Sequence, residues 1–189
     1  MIFHVIVSGD VIFLCHGHHV LEDLGDLKTS LNIHGVGDLN KIHLELDCGI
    51  LEVQIVSTGS ITLENMTIIP KQKTKSNGIS LKNSANMHLK QCKIKNFSRA
   101  IEICDESSCV MKYGEISGCD VGVTVEEKAS FHSIGGLIED VMTGIRVETF
   151  SSSLPRGVIL DGTDNYGRKD IEFVKPRPPI IITKATGDT

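Results

Sequence analysis

The sequence predicts an all-β fold, a single-stranded right-handed parallel β-helix of about six to seven coils. Three observations predict it. Four short segments recur every 22 residues: Gly78-Ile79-Ser80-Leu81, Ala100-Ile101-Glu102-Ile103, Gly122-Val123-Thr124-Val125 and Gly144-Ile145-Arg146-Val147. Two more series keep the same period, one through Met87-His88-Leu89, Cys109-Val110-Met111 and Phe131-His132-Ser133, the other through Cys92 and Ile94, Gly114 and Ile116, Gly136 and Ile138. Each unit therefore holds three stretches with apolar residues at every second position, the signature of strands. Such a unit is too short for a helical crossover, so equivalent strands stack coil on coil about 4.8 Å apart. Right-handedness follows from the preferred hand of parallel crossovers.

The elements follow in order. The opening Met1-Ile2-Phe3-His4-Val5-Ile6-Val7 lacks a basic leader and is interrupted by Asp10, so it reads as a first strand. Gly9 to Leu14, Gly17, and Leu31-Asn32-Ile33-His34-Gly35 form an early, irregular coil, with Ile42, Leu44 and Leu46 on the next strand. Upstream of residue 78 the phase slips by four: Val53 and Ile55 match Ile79 and Leu81, and Ile61-Thr62-Leu63 and Met66-Thr67-Ile68 match the other series. The surplus falls at 70–77, a lysine-bearing loop that bulges from the solenoid.

In the strict region Ile79/Leu81, Ile101/Ile103, Val123/Val125 and Ile145/Val147 point inward, while Ser80, Glu102, Thr124 and Arg146 point outward. The small residues at 78, 100, 122 and 144 suit a bend. Val158-Ile159-Leu160 keeps phase with Gly136-Leu137-Ile138, and Ile171 to Val174 forms the last strand. The β-helix domain then spans 1–175. Pro176-Arg177-Pro178-Pro179 breaks pairing, leaving 176–189 as a tail that caps the exposed strand edges or packs on a second copy. A frayed boundary is the alternative, and the chain reads as a fragment of a larger protein.

Composition narrows the function. Apolar residues make up 40% of the chain, aromatics 4%, and tryptophan is absent, which suits thin stacked layers. The net charge of -5 argues against backbone binding to nucleic acid. No apolar run approaches a membrane span. The six cysteines, Cys15, Cys48, Cys92, Cys104, Cys109 and Cys119, include no CxxC pair, and Cys92 and Cys109 fall at core positions. These features point to a reducing, cytoplasmic setting with no metal and no cofactor.

No catalytic set emerges. Hydrolysis of glycosidic bonds needs converging carboxylates, and the Asn-x-Asp and Asp-Asp pairs of pectin hydrolases are missing. Asp161-Gly162-Thr163-Asp164 reads as a turn, as do His16, His18 and His19; His88 and His132 stand two coils apart, about 10 Å, too far to share a metal ion. Two binding candidates remain. One is a sheet face with Gln54, Ser80, Glu102, Thr124 and Arg146 in one row and Lys82, Cys104, Glu126 and Glu148 in the next. The other is a basic loop region with Lys71, Lys73, Lys75, Lys82 and Lys90, joined by Lys93 and Lys95. Solvated faces and solubilising lysines are the plainer readings of both.

Gly9-Asp10-Val11-Ile12-Phe13-Leu14 with Gly17, Gly25-Asp26-Leu27 leading to Leu31-Asn32-Ile33-His34-Gly35, and Gly59 to Asn65 ahead of the coils carry a resemblance. The chain is similar to the C-terminal β-helix module of the Nessun Dorma and SHC SH2-domain-binding protein family, within the carbohydrate-binding and sugar-hydrolase-like, pectate-lyase-like superfold. The resemblance implies a non-catalytic binding or scaffold module of a cytokinesis-associated protein. It further implies a centralspindlin-type or intercellular-bridge partner, a midbody or cytoskeletal location and a link to galactosides, with no residue assigned to the sugar. Expected partners are thus a protein or a glycan, with no nucleic acid and no membrane insertion. The alternatives are a polysaccharide hydrolase or lyase, and an oligomerisation module forming a homodimer through the solenoid end or tail.

Overall fold

The computed structural model describes residues 11–21, 26–27, 30–46, 51–55, 60–71, 76–126, 128–148 and 157–174. They form a right-handed parallel β-helix, as the period predicts. Seven successive coils each contribute three strands. These are β1 (Val11–Leu14), β2 (Gly17–Leu21) and β3 (Asp26–Leu27); β4 (Leu31–Gly35), β5 (Ile42–Leu46) and β6 (Leu51–Ile55); and β7 (Ser60–Glu64), β8 (Thr67–Pro70) and β9 (Ile79–Lys82). Next come β10 (Asn86–Lys90), β11 (Lys93–Lys95) and β12 (Arg99–Ile103), then β13 (Ser108–Lys112), β14 (Glu115–Ser117) and β15 (Val121–Glu126). The last two coils are β16 (Ser130–Ile134), β17 (Leu137–Glu139) and β18 (Thr143–Glu148), then β19 (Gly157–Asp161), β20 (Asp164–Tyr166) and β21 (Lys169–Val174). Every third strand pairs in parallel, giving sheet A (β1 to β19), sheet B (β2 to β20) and sheet C (β3 to β21), each of seven strands. A 3-10 turn, Leu39–Lys41, interrupts the second coil, and among the described residues no helix is long and apolar enough to cross a membrane.

The core is a set of columns running along the axis. Ile68, Ile94, Ile116 and Ile138 stack in register on sheet B, and Ile79, Ile101, Val123 and Ile145 do so on sheet C, all fully buried. Burying each such side chain contributes roughly 1.5–3 kcal/mol. Cys92 and Cys109 lie in this core, as expected, and among the described residues the five cysteines are free. Burial pushes the thiols of both core cysteines up to about 12.

The structure corrects three details of register. On sheet C, Leu51 rather than Val53 pairs with Ile79, a separation of 28, whereas Ile61 pairs with Met87 at 26 as expected. Two extra residues therefore precede β7, in addition to the four in the lysine loop. At the other end Val158 and Leu160 pair with Phe131 and Ser133 on sheet A, 27 positions on, and Asn165 takes the place opposite Ile138. The strict period ends near residue 148. An apolar-polar-apolar triplet looks the same on any sheet, so an insertion can move it to a new sheet unseen.

The third correction concerns the small residues at coil starts. Gly78, Gly122 and Gly144 do not need a left-handed backbone. A Cβ on Gly78 would lie 2.5 Å from the Ala100 carbonyl oxygen, and one on Gly122 equally close to that of Gly144. Close approach of the next coil, rather than the bend itself, keeps them small. The segment 176–189 and its capping role lie outside the described residues, as do Cys48, Lys73 and Lys75.

Candidate functional site

Sheet C aligns Ser80, Glu102, Thr124 and Arg146 of the expected row, extended by Glu172, but Gln54 falls opposite Lys82 and Glu52 takes its place opposite Ser80, because of the same two-residue shift. Alternation aims these side chains away from the core, yet they bind one another more than they face solvent. The Arg99 guanidinium pairs with Glu102, three residues on, and Ser80 Oγ donates to Glu102 Oε2 at 3.4 Å. Arg146 donates through Nε and Nη2 to Glu172 Oε2 at 3.1 and 3.0 Å, and its Nε lies 3.8 Å from Glu148 Oε1. Thr124, expected on an open face, is fully buried, and its hydroxyl has no hydrogen-bond partner. Its side chain is short, and its register neighbours Glu102 and Arg146 are long, so the row closes over it.

In the next row Glu126 is partly buried beside Cys104. Burial pushes the Glu126 carboxyl above its ordinary value; the Cys104 hydrogen bond opposes this, and the neighbouring Glu102 and Glu148 add to it. Burial, with Glu126, Glu102 and Asp105, drives the Cys104 thiol up to about 12, so it stays protonated and donates to Glu126. Among the described residues no group of three His, Cys, Asp or Glu side chains is placed to hold a metal ion.

The lysines do not form one patch. Lys71 follows the last strand residue of sheet B in its coil, Lys82 ends β9 on sheet C, and Lys90 ends β10 on sheet A. The chain changes sheet every few residues, so lysines close in sequence face different directions. Lys90 Nζ lies 3.7 Å from Glu64, and Lys93 and Lys95 lie 3.1 and 2.8 Å from Glu115. The early histidines serve structure: His18 bonds Glu45 at 2.6 Å and stacks on His43, His19 contacts the Cys15 carbonyl at 2.8 Å, and His16 accepts from the Asp38 amide.

A different feature stands out at the corner between sheets A and B. Each of the last five coils turns there through one left-handed residue: Asn65, Gln91, Tyr113, Gly135 and Gly162, with φ between 50° and 59°. Their amides form a ladder, from Gln91 to the Lys112 carbonyl, from Tyr113 to that of Ile134 and from Gly135 to that of Asp161, at 2.8–2.9 Å. Asparagine and glycine adopt this conformation readily; a bulky aromatic is a genuine outlier. The Tyr113 ring is 67% exposed and lies over Gly135, where a Cβ would come within 2.8 Å of it.

The ring stands beside a groove of about 390 Å³ that crosses several coils. Gly114 and Gly136 form its floor; a Cβ on either would strike Met111, at 2.7 and 2.9 Å. Lys93, Glu115, Leu137 and Asp164 follow one another in register along it. Burial works to raise the Glu115 carboxyl, but hydrogen bonds from Lys95 and Lys93 outweigh this and leave it below its ordinary value. The sequence held one usable signal for this groove: Tyr113 is 22 residues from both Gln91 and Gly135, a phase shared with turn residues rather than strand residues.

No protein-family model, curated protein or solved structure matches the chain, so the fold and these two surfaces alone inform its function.

Proposed function

We propose that this chain is a non-catalytic binding module that holds an extended ligand, a glycan chain or a peptide strand of a protein partner, along the corner between sheets A and B. Tyr113 carries the reading. A bulky residue in the left-handed region costs about 1–2 kcal/mol, and glycine, asparagine or glutamine meets the same turn elsewhere in the ladder. Backbone strain retained beside a groove is a reason to infer function. An exposed tyrosine ring offers an apolar face and a polar tip to sugars and peptides alike. Successive coils, about 4.8 Å apart, each add a side chain to the groove, so an extended ligand laid along the axis meets one coil after another.

The resemblance stated above would place such a module in a cytokinesis-associated protein of the cytoplasm, bound to a centralspindlin-type complex. A hydrolase or lyase reading draws on Glu126, whose raised carboxyl stands near Glu102 and Glu148. The arginines that hold those two neighbours weigh against it. The test is a glycan array together with a peptide-display screen, each run on the wild type and on Tyr113→Ala. Support is a ligand of either class whose binding falls at least tenfold (about 1.4 kcal/mol) in the variant while its circular dichroism is unchanged. Turnover of uronate or galactan substrates, or a ligand held equally by both proteins, overturns the proposal.

A further inference from the structure

Two rails of side chains flank the corner between sheets A and B. On the sheet A side they are the residues just before each left-handed turn residue: Glu64, Lys90, Lys112, Ile134 and Asp161, aligned strand to strand. On the sheet B side they stand two positions past the turn: Thr67, Lys93, Glu115, Leu137 and Asp164.

The rails change character along the axis. The fourth and fifth coils are basic. Lys90 lies 3.7 Å from Glu64, while Glu115 is shared by Lys93 and Lys95 at 3.1 and 2.8 Å. Lys112 stands directly opposite Lys90, and among the described residues it has no ion-pair partner. Like charges placed opposite each other repel. Burial first, then the charges of Lys90 and Lys112, hold the His88 imidazole below its ordinary value. In the sixth coil both rails are apolar, Ile134 and Leu137, with Gly135 and Gly136 between them and the Tyr113 ring over Gly135. In the seventh coil both rails are acidic. Among the described residues neither Asp161 nor Asp164 has an ion-pair partner, and Arg168 stands past Tyr166 at the opposite edge of sheet B.

A neutral glycan leaves both charged ends of the corner unmatched. A uniformly anionic one gains at the lysines and is repelled at the aspartates. A peptide can carry both signs of charge with an apolar side chain between them. Given the binding groove argued above, we propose that its occupant is an extended peptide segment of a protein partner. An acidic residue of that segment meets the lysines of the fourth and fifth coils, an apolar residue sits between Ile134 and Leu137 beside Tyr113, and a basic residue meets Asp161 and Asp164. Alternate residues of an extended strand share one face, so positions one, three and five span about 13 Å. The three coil steps from Lys90 to Asp161 cover about 14 Å. Charge then selects the order of side chains along the axis, and Tyr113 supplies a contact common to all such segments.

Fluorescence anisotropy with a labelled Asp-Ser-Leu-Ser-Lys peptide tests this, beside versions carrying two aspartates, two lysines or two serines at the end positions. The mixed peptide should bind the wild type about fivefold or more tightly than the other three. The double variant Asp161→Lys with Asp164→Lys should move the preference to the two-aspartate peptide. Lys90→Glu with Lys112→Glu should move it to the two-lysine peptide. Circular dichroism shows that each variant is folded. Equal affinity for all four peptides, no binding of the mixed peptide up to about 1 mM, or a preference that both charge swaps leave unchanged overturns the peptide assignment. Tyr113→Ala separates that failure from failure of the groove itself. It should weaken every peptide and keep their order. If only a glycan loses affinity in Tyr113→Ala, the groove stands and its peptide occupant falls; if nothing bound by the wild type responds to Tyr113→Ala, both fall.

Discussion

Replacing Tyr113 separates strain from contact at the corner ladder. The residue sits at φ 54° with its ring 67% exposed. A tyrosine can bury 150–250 Å², so the covered third is roughly 65 Å², worth about 1.6 kcal/mol at 25 cal/mol per Å². Tyr113→Ala forfeits that contact and keeps the left-handed penalty. Tyr113→Gly forfeits it too but recovers about 1–2 kcal/mol of backbone strain, less about 0.5–1 kcal/mol for the freedom glycine gains in the unfolded chain. The glycine variant should therefore unfold within about 1.5 kcal/mol of the wild type and lie above the alanine variant by up to about 1.5 kcal/mol. Urea titrations of the three proteins at one temperature measure this, provided their slopes agree. An alanine variant more stable than the glycine variant refutes the strain argument and with it the main reason for assigning function to this residue.

Three further predictions concern other parts of the molecule. Gly35→Ala places a Cβ 2.0 Å from the Asn65 carbonyl oxygen, whose side chain already ties the strands through Gly35 and Gly37; a loss of about 3 kcal/mol is expected, and thermal melting within a degree of wild type counts against this strand register. Glu126→Gln should stabilise the protein at neutral pH. Because burial raises this carboxyl when folded, the native state binds more protons than the unfolded one, and wild-type stability falls as pH climbs from 4.5 through the folded value. The advantage of glutamine should vanish below 4.5, and a pH-independent difference between the two proteins refutes the assignment. Iodoacetamide at pH 8 should modify exposed Cys15 well before Cys92, Cys104 or Cys109, whose thiols are held near 12, as peptide mass spectrometry reads directly; rapid labelling of Cys104 contradicts its bond to Glu126.

Where the 22-residue period is unbroken, the sequence told inside from outside almost residue by residue. Ile101, Ile103, Val123 and Val125 lie in the core, and the three-stranded coil follows from their spacing. Legibility failed where length changed, because Val158 and Leu160 carry no mark of the sheet they join. It failed again for Thr124, whose burial depends on the reach of Glu102 and Arg146 rather than on its own place in the pattern. The lysines form one cluster in sequence but not on a surface, because a coil that turns through three sheets separates the two. Tyr113 leaves no mark on the apolar period, because a lone turn residue adds nothing to it.

The corner ladder also divides the demands on the chain. At positions 91, 113 and 135 the fold asks only for the hand of one backbone dihedral, and each residue's amide meets the hydrogen-bonding needs of the next coil whatever side chain it carries. Glutamine, tyrosine and glycine all satisfy that request, at different costs in strain. A change at any of these positions alters what lines the groove without touching the columns of isoleucine and valine beneath. Recognition and folding are thereby written in separate letters of the same repeat, and the preference of the surface can drift while the solenoid stays fixed.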